Sequence, residues 1–198
     1  MPYKSSPKLV VAIAALAVVA TTALAVATGV FPTDLSAADK QRLAKFDETR
    51  ASAIEEARKG GEPADVTILE KELEGGPTQI APAAMAGEWR CRTLKLGDNL
   101  PLVIYADFKC RITDDAAGLR LQKLTGSQRT TGTFYDLGEA RLGYAGAGHY
   151  ADEQPRNYGG DPERNQVGHL IPISAEHMRL EFPLPRYESH FDILELRR

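Results

Sequence analysis

The most constraining feature of this sequence is an alternation of apolar and polar residues that begins at Gly87 and continues to the C-terminus. In HMRLEFPLP, for example, Met178, Leu180 and Phe182 fall on one side of an extended chain. Short turn sequences such as DLG (136–138) separate the alternating stretches, so we expect an antiparallel meander that closes into a small barrel. The pattern predicts seven or eight strands, at 88–96, 102–113, 118–125, 129–136, 140–146, 166–173, 176–184 and 190–196.

The two cysteines of the chain, Cys91 and Cys110, lie on the first two predicted strands. If these strands fold back about residues 100–101, Cys91 lies opposite Cys110, and Trp89 lies opposite Ile112 on the same buried face. An even cysteine count in an exported chain favours a disulfide between them, and two unpaired buried thiols are the alternative. The sequence has no CxxC motif, which indicates a structural role for both cysteines.

The N-terminus has the composition of a secretory leader. Lys4 and Lys8 precede an uncharged, alanine-rich stretch at 9–27, which ends in small-x-small sites at Ala25 and Ala27. We therefore predict a signal peptide at residues 1–27 and a periplasmic or secreted protein. The alternative is an uncleaved anchor in the inner membrane, because the stretch is just long enough to span a bilayer.

Residues 28–86 are predicted to form two helices and a linker. A capping box, Ser36-x-x-Asp39, begins the first helix, which ends at Gly60-Gly61. The second helix is predicted from Asp65 to Leu73, and residues 77–87 are predicted to have no regular structure. The expected fold class is thus α+β, with a helical segment packed on an antiparallel, barrel-like domain at 87–198.

Net charge and motifs exclude several classes of function. The formal net charge of -3, with no basic block, argues against a nucleic-acid binder. The four histidines form no zinc motif, and no nucleophilic serine motif or glycine-rich phosphate loop is present. The sequence therefore predicts no metal, no cofactor and no identifiable catalytic residue, and it leaves enzymatic activity undecided.

The charged stretch DEQPRNYGGDPERNQVG (152–168) is the candidate site. Asp161 is a good N-cap for a single helical turn, because Pro162 and Glu163 follow it. The connection from Gly146 to Gly168 is about twenty residues long, and loops of that length are usually functional or disordered. Its arginines either form an ion-pair network with the acids or bind an anionic ligand. The candidate binding residues are Arg129, His149, Asp152, Glu153, Arg156, Tyr158, Asp161, Glu163 and Arg164.

Four segments together resemble an exported proteobacterial family, domain of unknown function 4893. They are GEWRCRTLKL (87–96), LQKLTGSQRTTG (121–132), the charged stretch at 152–168 and PRYESHFDILEL (185–196). The resemblance implies export and assigns no activity to any residue. A weaker likeness is Gly87-Glu88-Trp89, which is similar to the opening of lipocalin-like barrels and implies an eight-stranded barrel.

Three hypotheses follow for function. The first is a noncatalytic periplasmic protein that binds a small polar ligand or an envelope protein through residues 149–168. The second is a periplasmic hydrolase of cell-envelope material, with Asp152, Glu153, Asp161 and Glu163 as acid-base candidates and His149 as a proton carrier. The third is a structural envelope protein without a ligand.

Overall fold

The computed structural model describes residues 1, 31, 35–138 and 140–198, so the predicted leader lies outside the described residues except for Met1. The helices are α1 (Ala37–Ala44), α2 (Phe46–Gly60), α3 (Pro63–Leu73) and α4 (Pro82–Met85). The strands are β1 (Gly87–Leu96), β2 (Leu102–Ile104), β3 (Phe108–Asp115), β4 (Gly118–Lys123), β5 (Gln128–Asp136), β6 (Leu142–Tyr150), β7 (Asn165–Ser174), β8 (His177–Pro183) and β9 (Phe191–Arg197). A 3-10 turn, Pro162–Arg164, precedes β7. None of the helices just named has both the length and the apolar character needed to cross a membrane.

Eight of the strands form a closed antiparallel barrel, which confirms the α+β fold predicted from the alternation. Strands β3 to β9 follow one another as a meander, and β1 closes the barrel by pairing with both β3 and β9. Closure leaves no free edge in the cylinder, since every one of the eight strands has two neighbours. Strand β2 is an additional strand that pairs with the end of β1.

The predicted strand 102–113 is wrong as a single element, because the pairing with β1 shifts by one residue at 105–107 and the side chains then point to the opposite face of the sheet. Leu102 packs in a cluster with the helices, whereas Ile112 packs inside the barrel. A continuous strand would place both side chains on one face, since their numbers differ by an even count. The break lets β3 bury its apolar residues inside the barrel and β2 bury its apolar residues on the outer face, against the helices.

The predicted disulfide between Cys91 and Cys110 is confirmed, with the two Cα atoms 5.9 Å apart. The predicted register is wrong by two residues: Cys91 lies opposite Phe108, and Trp89 lies opposite Cys110. The bridge therefore joins diagonal neighbours, and the shift arises at the turn, because Leu96 pairs with Leu102 and the hairpin is centred on residue 99 instead of 100–101. A loop of this length contributes about 3 kcal/mol to stability through the entropy of the unfolded chain.

One end of the barrel is closed by α4, which lies in the linker predicted to be irregular. Met85 is buried there, and its carbonyl accepts a hydrogen bond of 2.9 Å from Trp89 Nε1. The guanidinium of Arg198 lies 3.9 Å from the centroid of the Trp89 ring and also donates hydrogen bonds to the carbonyls of Ala84 and Met85 in α4. The tryptophan thus fills the closed end between an apolar plug and a cation.

The longer helices cover part of the barrel's outer surface. The predicted first helix is two helices, since the chain bends at Lys45 between α1 and α2. The predicted cap is confirmed, with Ser36 Oγ accepting a hydrogen bond of 3.1 Å from the Asp39 amide. Helices α2 and α3 pack on outward-facing apolar residues of β1 and β9, including Leu94 and Phe191. Strands β1 and β9 are therefore buried on both faces along this part of the barrel.

Candidate functional site

The end of the barrel opposite α4 is open. Strands β1, β4, β6 and β8 finish there, and the loops 97–101, 124–127, 151–164 and 184–190 surround the opening. A cavity of about 490 Å³ lies between these loops, and we call it the mouth. The charged residues that line the mouth are the cations Arg42, Lys95, Arg129, Arg164 and Arg186 and the acids Glu163, Glu188 and Asp192.

A smaller cavity of about 60 Å³, the floor cavity, continues from the mouth into the barrel interior. The two cavities share six lining residues and therefore form one site, whose shared lining is Lys95, Gln128, Arg129, Gln166, Phe182 and Asp192. Lys123 and Thr130 line the floor cavity further inside the barrel.

Strand geometry explains why charged groups meet at the floor. On β4, Leu119 and Leu121 point into the barrel core, so the period of two also turns Lys123 inward. Lys95 on β1 and Asp192 on β9 occupy the same kind of position. Each of the three is the inward-facing residue nearest the mouth on its strand. The barrel interior is therefore apolar at the closed end and charged at the open end.

Lys95 and Asp192 lie on the side of this charged layer that contains carboxylates. Lys95 is 7% exposed, and its Nζ lies 2.8 Å from Glu188 Oε2. Burial alone would lower the pKa of Lys95, but Asp192 and Glu188 raise it overall. Burial raises the pKa of Asp192 to about 6, against the opposing effect of Lys95 and of a 2.6 Å hydrogen bond from Ser189 Oγ. Asp192 is thus an acid that titrates near neutral pH.

Lys123 forms the basic side of the layer. It is 7% exposed, donates a hydrogen bond of 2.9 Å to the Gln128 carbonyl and lies 4.1 Å from the centroid of the Phe108 ring. Burial lowers the pKa of Lys123 to about 8, and the positive charges of Lys95 and Arg129 act in the same direction. Among the described residues, no carboxylate lies within 4 Å of its ammonium group.

The loop 151–164, which we call the rim, is fastened to α1. Tyr158 donates a hydrogen bond of 2.7 Å to Asp39 Oδ2 and accepts one of 2.9 Å from the Ser36 amide. Asn165 Nδ2 donates to the same carboxylate at 3.1 Å. Burial alone would raise the pKa of Asp39, but the hydrogen bonds from Ser36, Tyr158 and Asn165 lower it overall. The rim is therefore held in place by a buried, ionised carboxylate.

The rim also contains ion pairs. Glu153 Oε1 lies 3.6 Å from Arg156 Nη2 and 3.4 Å from Arg164 Nη2. Across the mouth, Arg186 Nη1 lies 2.6 Å from Glu163 Oε2. The two alternatives predicted for the arginines of this stretch are compatible for Arg164, which belongs to an ion pair and also lines the mouth, whereas Arg156 belongs to ion pairs outside the mouth.

The nine predicted binding residues divide into two groups. Those that line the mouth are Arg129, His149, Glu163 and Arg164. The others lie on the rim outside the mouth and are Asp152, Glu153, Arg156, Tyr158 and Asp161. Asp161 has the predicted capping role, since its Oδ1 accepts a hydrogen bond of 3.0 Å from the Glu163 amide.

The predicted connection from 146 to 168 is too long, because β6 continues to Tyr150 and β7 begins at Asn165. His149 therefore belongs to a strand, where it pairs with Arg129, and its Nε2 lies 3.4 Å from Thr131 Oγ1.

The glycines of β6 weakened the alternation of apolar and polar residues in this strand. Gly146 is required where it stands, because a Cβ there would lie 2.5 Å from the hydroxyl of the buried Tyr144.

The acids proposed for a hydrolase do not converge. Of the four, Glu163 lines the mouth, where it is bound to Arg186, and Glu153 is bound to rim arginines. Asp152 is exposed, and Asp161 caps the 3-10 turn. The acid with a raised pKa inside the site is Asp192, which the search for motifs missed. A signal for it was present, since Asp192 alternates in FDILEL with two leucines that face the core.

A second charged cluster lies outside the barrel, under α3. His177 Nε2 lies 2.6 Å from Glu72 Oε1, and His177, Glu72 and Glu195 each place one potential metal-ligand atom within 4.8 Å of the others. Arg197 binds Glu72 at 2.9 Å and Arg92 binds Glu195 at 2.6 Å, so a cation would meet guanidinium groups. We interpret the cluster as an ion-pair layer that joins α3 to the barrel. His177 is buried within it.

Replacing Asp192 with asparagine is expected to remove a component of stability that falls as pH rises from about pH 4 to pH 6. The pKa of Asp192 is raised from 3.8 to about 6, so in this interval the folded state holds more protons than the unfolded state. The contribution of Asp192 to the free energy of unfolding should therefore fall as pH rises through the interval, by an amount on the order of 2 kcal/mol, and the variant should lack this contribution.

Urea denaturation at pH 4, 5, 6 and 7 measures this slope. Asp114→Asn, which changes an exposed aspartate of β3, is the matched control and should keep the wild-type slope. A slope in Asp192→Asn equal to that of the wild type would contradict the assignment.

Comparison with known proteins gives one match. No curated protein matched this chain, and no solved structure matched it either. A family model described as "Domain of unknown function (DUF4893)" matches residues 33–196, which include the helices, the barrel and the mouth. The disulfide of β1, the rim and the start of β9 all lie within the matched range. The chain therefore belongs to the DUF4893 family.

Proposed function

We propose that this protein is exported, is noncatalytic and binds a small polar ligand at the mouth of its barrel, beneath the rim. The observation that carries the proposal is the mouth itself, a cavity of about 490 Å³ that leads into a charged floor cavity. This volume lies in the range of roughly 300 to 1,000 Å³ that is usual for sites of small ligands. Polar groups that converge in a concave site are what orient such a ligand.

The anchoring of the rim supports a preformed site. Tyr158 and Asn165 tie the rim to Asp39 of α1, and Glu153 pairs with Arg164 within it. A ligand that enters a site already held in place loses less affinity to the ordering of loops. The rim therefore acts as a fixed wall of the mouth.

The balance of charge supports binding over a purely structural role. Five cationic side chains and three acidic ones line the mouth. Arg129 donates from Nε to the Gly126 carbonyl at 3.0 Å, and among the described residues no carboxylate lies within 4 Å of it. An architectural loop would satisfy its charges internally, whereas Arg129 keeps N–H donors for a ligand.

A hydrolase receives less support from the same geometry. General acid-base hydrolysis usually needs two carboxyl groups that converge on the scissile bond. Glu188 also lines the mouth, but it is bound to Lys95, so Asp192 has no free acidic partner among the described lining residues. A single acid with a pKa near 6 suits the control of binding by pH.

Export is proposed from the leader at residues 1–27 and agrees with the disulfide, since disulfides form and persist mainly outside the cytosol. When the full chain is expressed in a Gram-negative host, we expect to recover it from the periplasm with an N-terminus at Val26 or Thr28. N-terminal sequencing of that fraction tests the proposal. Recovery of an intact N-terminus in the cytoplasm, with reduced Cys91 and Cys110, would contradict it.

Ligand binding is tested by thermal shift of the exported protein against sugars, peptidoglycan fragments, nucleotides and fatty acids. A ligand at 100 times its Kd stabilises the folded state by about 2.7 kcal/mol and should raise the Tm by several degrees. Arg129→Gln should lose at least half of the shift, because it removes a cation from both cavities.

The control is Arg58→Gln, which changes an exposed arginine on α2 and should keep the full shift. The Tm of each variant without ligand reports whether it is folded. If Arg129→Gln is folded and retains the whole shift, the ligand does not bind at the mouth.

A further inference from the structure

The floor cavity is the part of the site that selects a chemical group. Its volume of about 60 Å³ corresponds to about two water molecules, so it admits the head group of a ligand and excludes the rest. Three cations, Lys95, Lys123 and Arg129, and one acid, Asp192, line it. The excess of positive charge favours an anionic head group.

Two of these cations keep hydrogen-bond donors for such a group. Lys123 uses one of its three N–H donors on the Gln128 carbonyl, and Arg129 uses one of its five on the Gly126 carbonyl. Among the described residues, neither has a carboxylate within 4 Å, whereas Lys95 is bound to Glu188. A carboxylate or phosphate between Lys123 and Arg129 would accept hydrogen bonds from the unused N–H donors of both side chains.

An unpartnered acceptor indicates that the ligand also donates a hydrogen bond. Gln166 Oε1 is buried and has no hydrogen-bond partner among the residues that the structure describes, and its side chain lines both cavities. A buried polar atom without a partner costs free energy, which a hydroxyl group of a ligand would recover. A simple carboxylate cannot supply that donor, but a hydroxylated acid can.

The outer part of the mouth presents aromatic surface. Tyr187 is 61% exposed and Tyr150 is 46% exposed, and both line the mouth. The guanidinium of Arg164 lies 4.7 Å from the centroid of the Tyr150 ring and covers one of its faces, while Tyr187 remains open. Exposed tyrosine combines a flat apolar ring with a polar hydroxyl, which matches the C–H face and the hydroxyl groups of a sugar ring.

From these three features we propose that the ligand is a sugar that carries one oxyanion group, either a carboxylate or a phosphate. The oxyanion occupies the floor cavity between Lys123 and Arg129, a hydroxyl donates to Gln166 Oε1, and the ring lies in the mouth beside Tyr187. The inference rests on the proposed function, because it assigns the class of ligand that the same mouth binds.

Isothermal titration calorimetry at pH 7 with four probes tests this ligand class. Glucuronate and glucose 6-phosphate carry both ring and oxyanion, whereas glucose lacks the charge and inorganic phosphate lacks the ring. We expect at least one of the charged sugars to bind ten-fold or more tightly than both glucose and phosphate. The charged sugar that binds more tightly identifies the oxyanion as carboxylate or phosphate.

Two variants test whether the charged sugar binds at the proposed position. Lys123→Met and Gln166→Leu should each weaken its binding at least ten-fold, and the matched control Lys109→Met changes an exposed lysine of β3 and should not. Equal affinity for glucose, binding of phosphate alone, or an unchanged preference in a folded Lys123→Met variant would overturn the inference. The comparison of the four probes with the wild-type protein stands even if a variant fails to fold.

The outcomes also separate this inference from the proposed function. If none of the four probes binds at millimolar concentration, the ligand class is wrong. A thermal shift by another compound that depends on Arg129 would then still support binding at the mouth.

Discussion

The pairing of β1 with β9 is the interaction on which the rest of the structure depends. Seven residue pairs, from Arg90 with Arg197 to Leu96 with Phe191, convert a meander into a closed cylinder. Only in a closed cylinder do the inward-facing residues of all strands converge on one axis. The same pairing places Lys95 beside Asp192, since these two residues lie opposite each other in the register. The charged floor is thus a direct consequence of barrel closure.

The interior changes in character along the barrel axis. Trp89, Leu121 and Leu196 belong to an apolar core near the closed end, whereas Lys123 and Asp192 occupy the equivalent inward positions near the mouth. Burial opposes the charged form of both residues, which is why the pKa of Lys123 falls to about 8 and that of Asp192 rises to about 6. Groups that burial destabilises in this way persist mainly where they are used, and perturbed ionisation is therefore a guide to functional sites.

Much of the fold could be predicted from the period of two, because that period follows directly from strand geometry. The sequence did not reveal that the buried side chains change from one face of the sheet to the other at residues 105–107, since this depends on where the helices cover β1. For the same reason, the alternation on β8 places Arg179 and Glu181 on the outer face of the barrel, but it does not show that the helical layer buries both of them there. Local alternation shows which residues share a face, but it does not show what covers that face.

The candidate site could be predicted only at its edge. The charge and length of the rim marked the candidate site in the sequence, and four of the nine predicted binding residues line the mouth. Lys95, Lys123 and Asp192 were missed, because they are far apart in the sequence and belong to no catalytic or ligand-binding motif, although each lies in a segment that resembles the family. Each is, however, a charged residue on the inward face of a strand, and that local conflict between charge and alternation is a physical signal of a functional position.

If Lys123 and Asp192 serve the floor cavity that they line and not the stability of the barrel, they are kept at a cost in stability. The most direct test is the free energy of unfolding of the double variant Lys123→Met/Asp192→Leu, measured by urea denaturation at pH 7 without ligand. We expect the variant to be more stable than the wild type by about 1 to 4 kcal/mol, as when apolar residues replace buried charges. A variant that folds but is less stable than the wild type would show that these charges hold the barrel together, and it would contradict the claim.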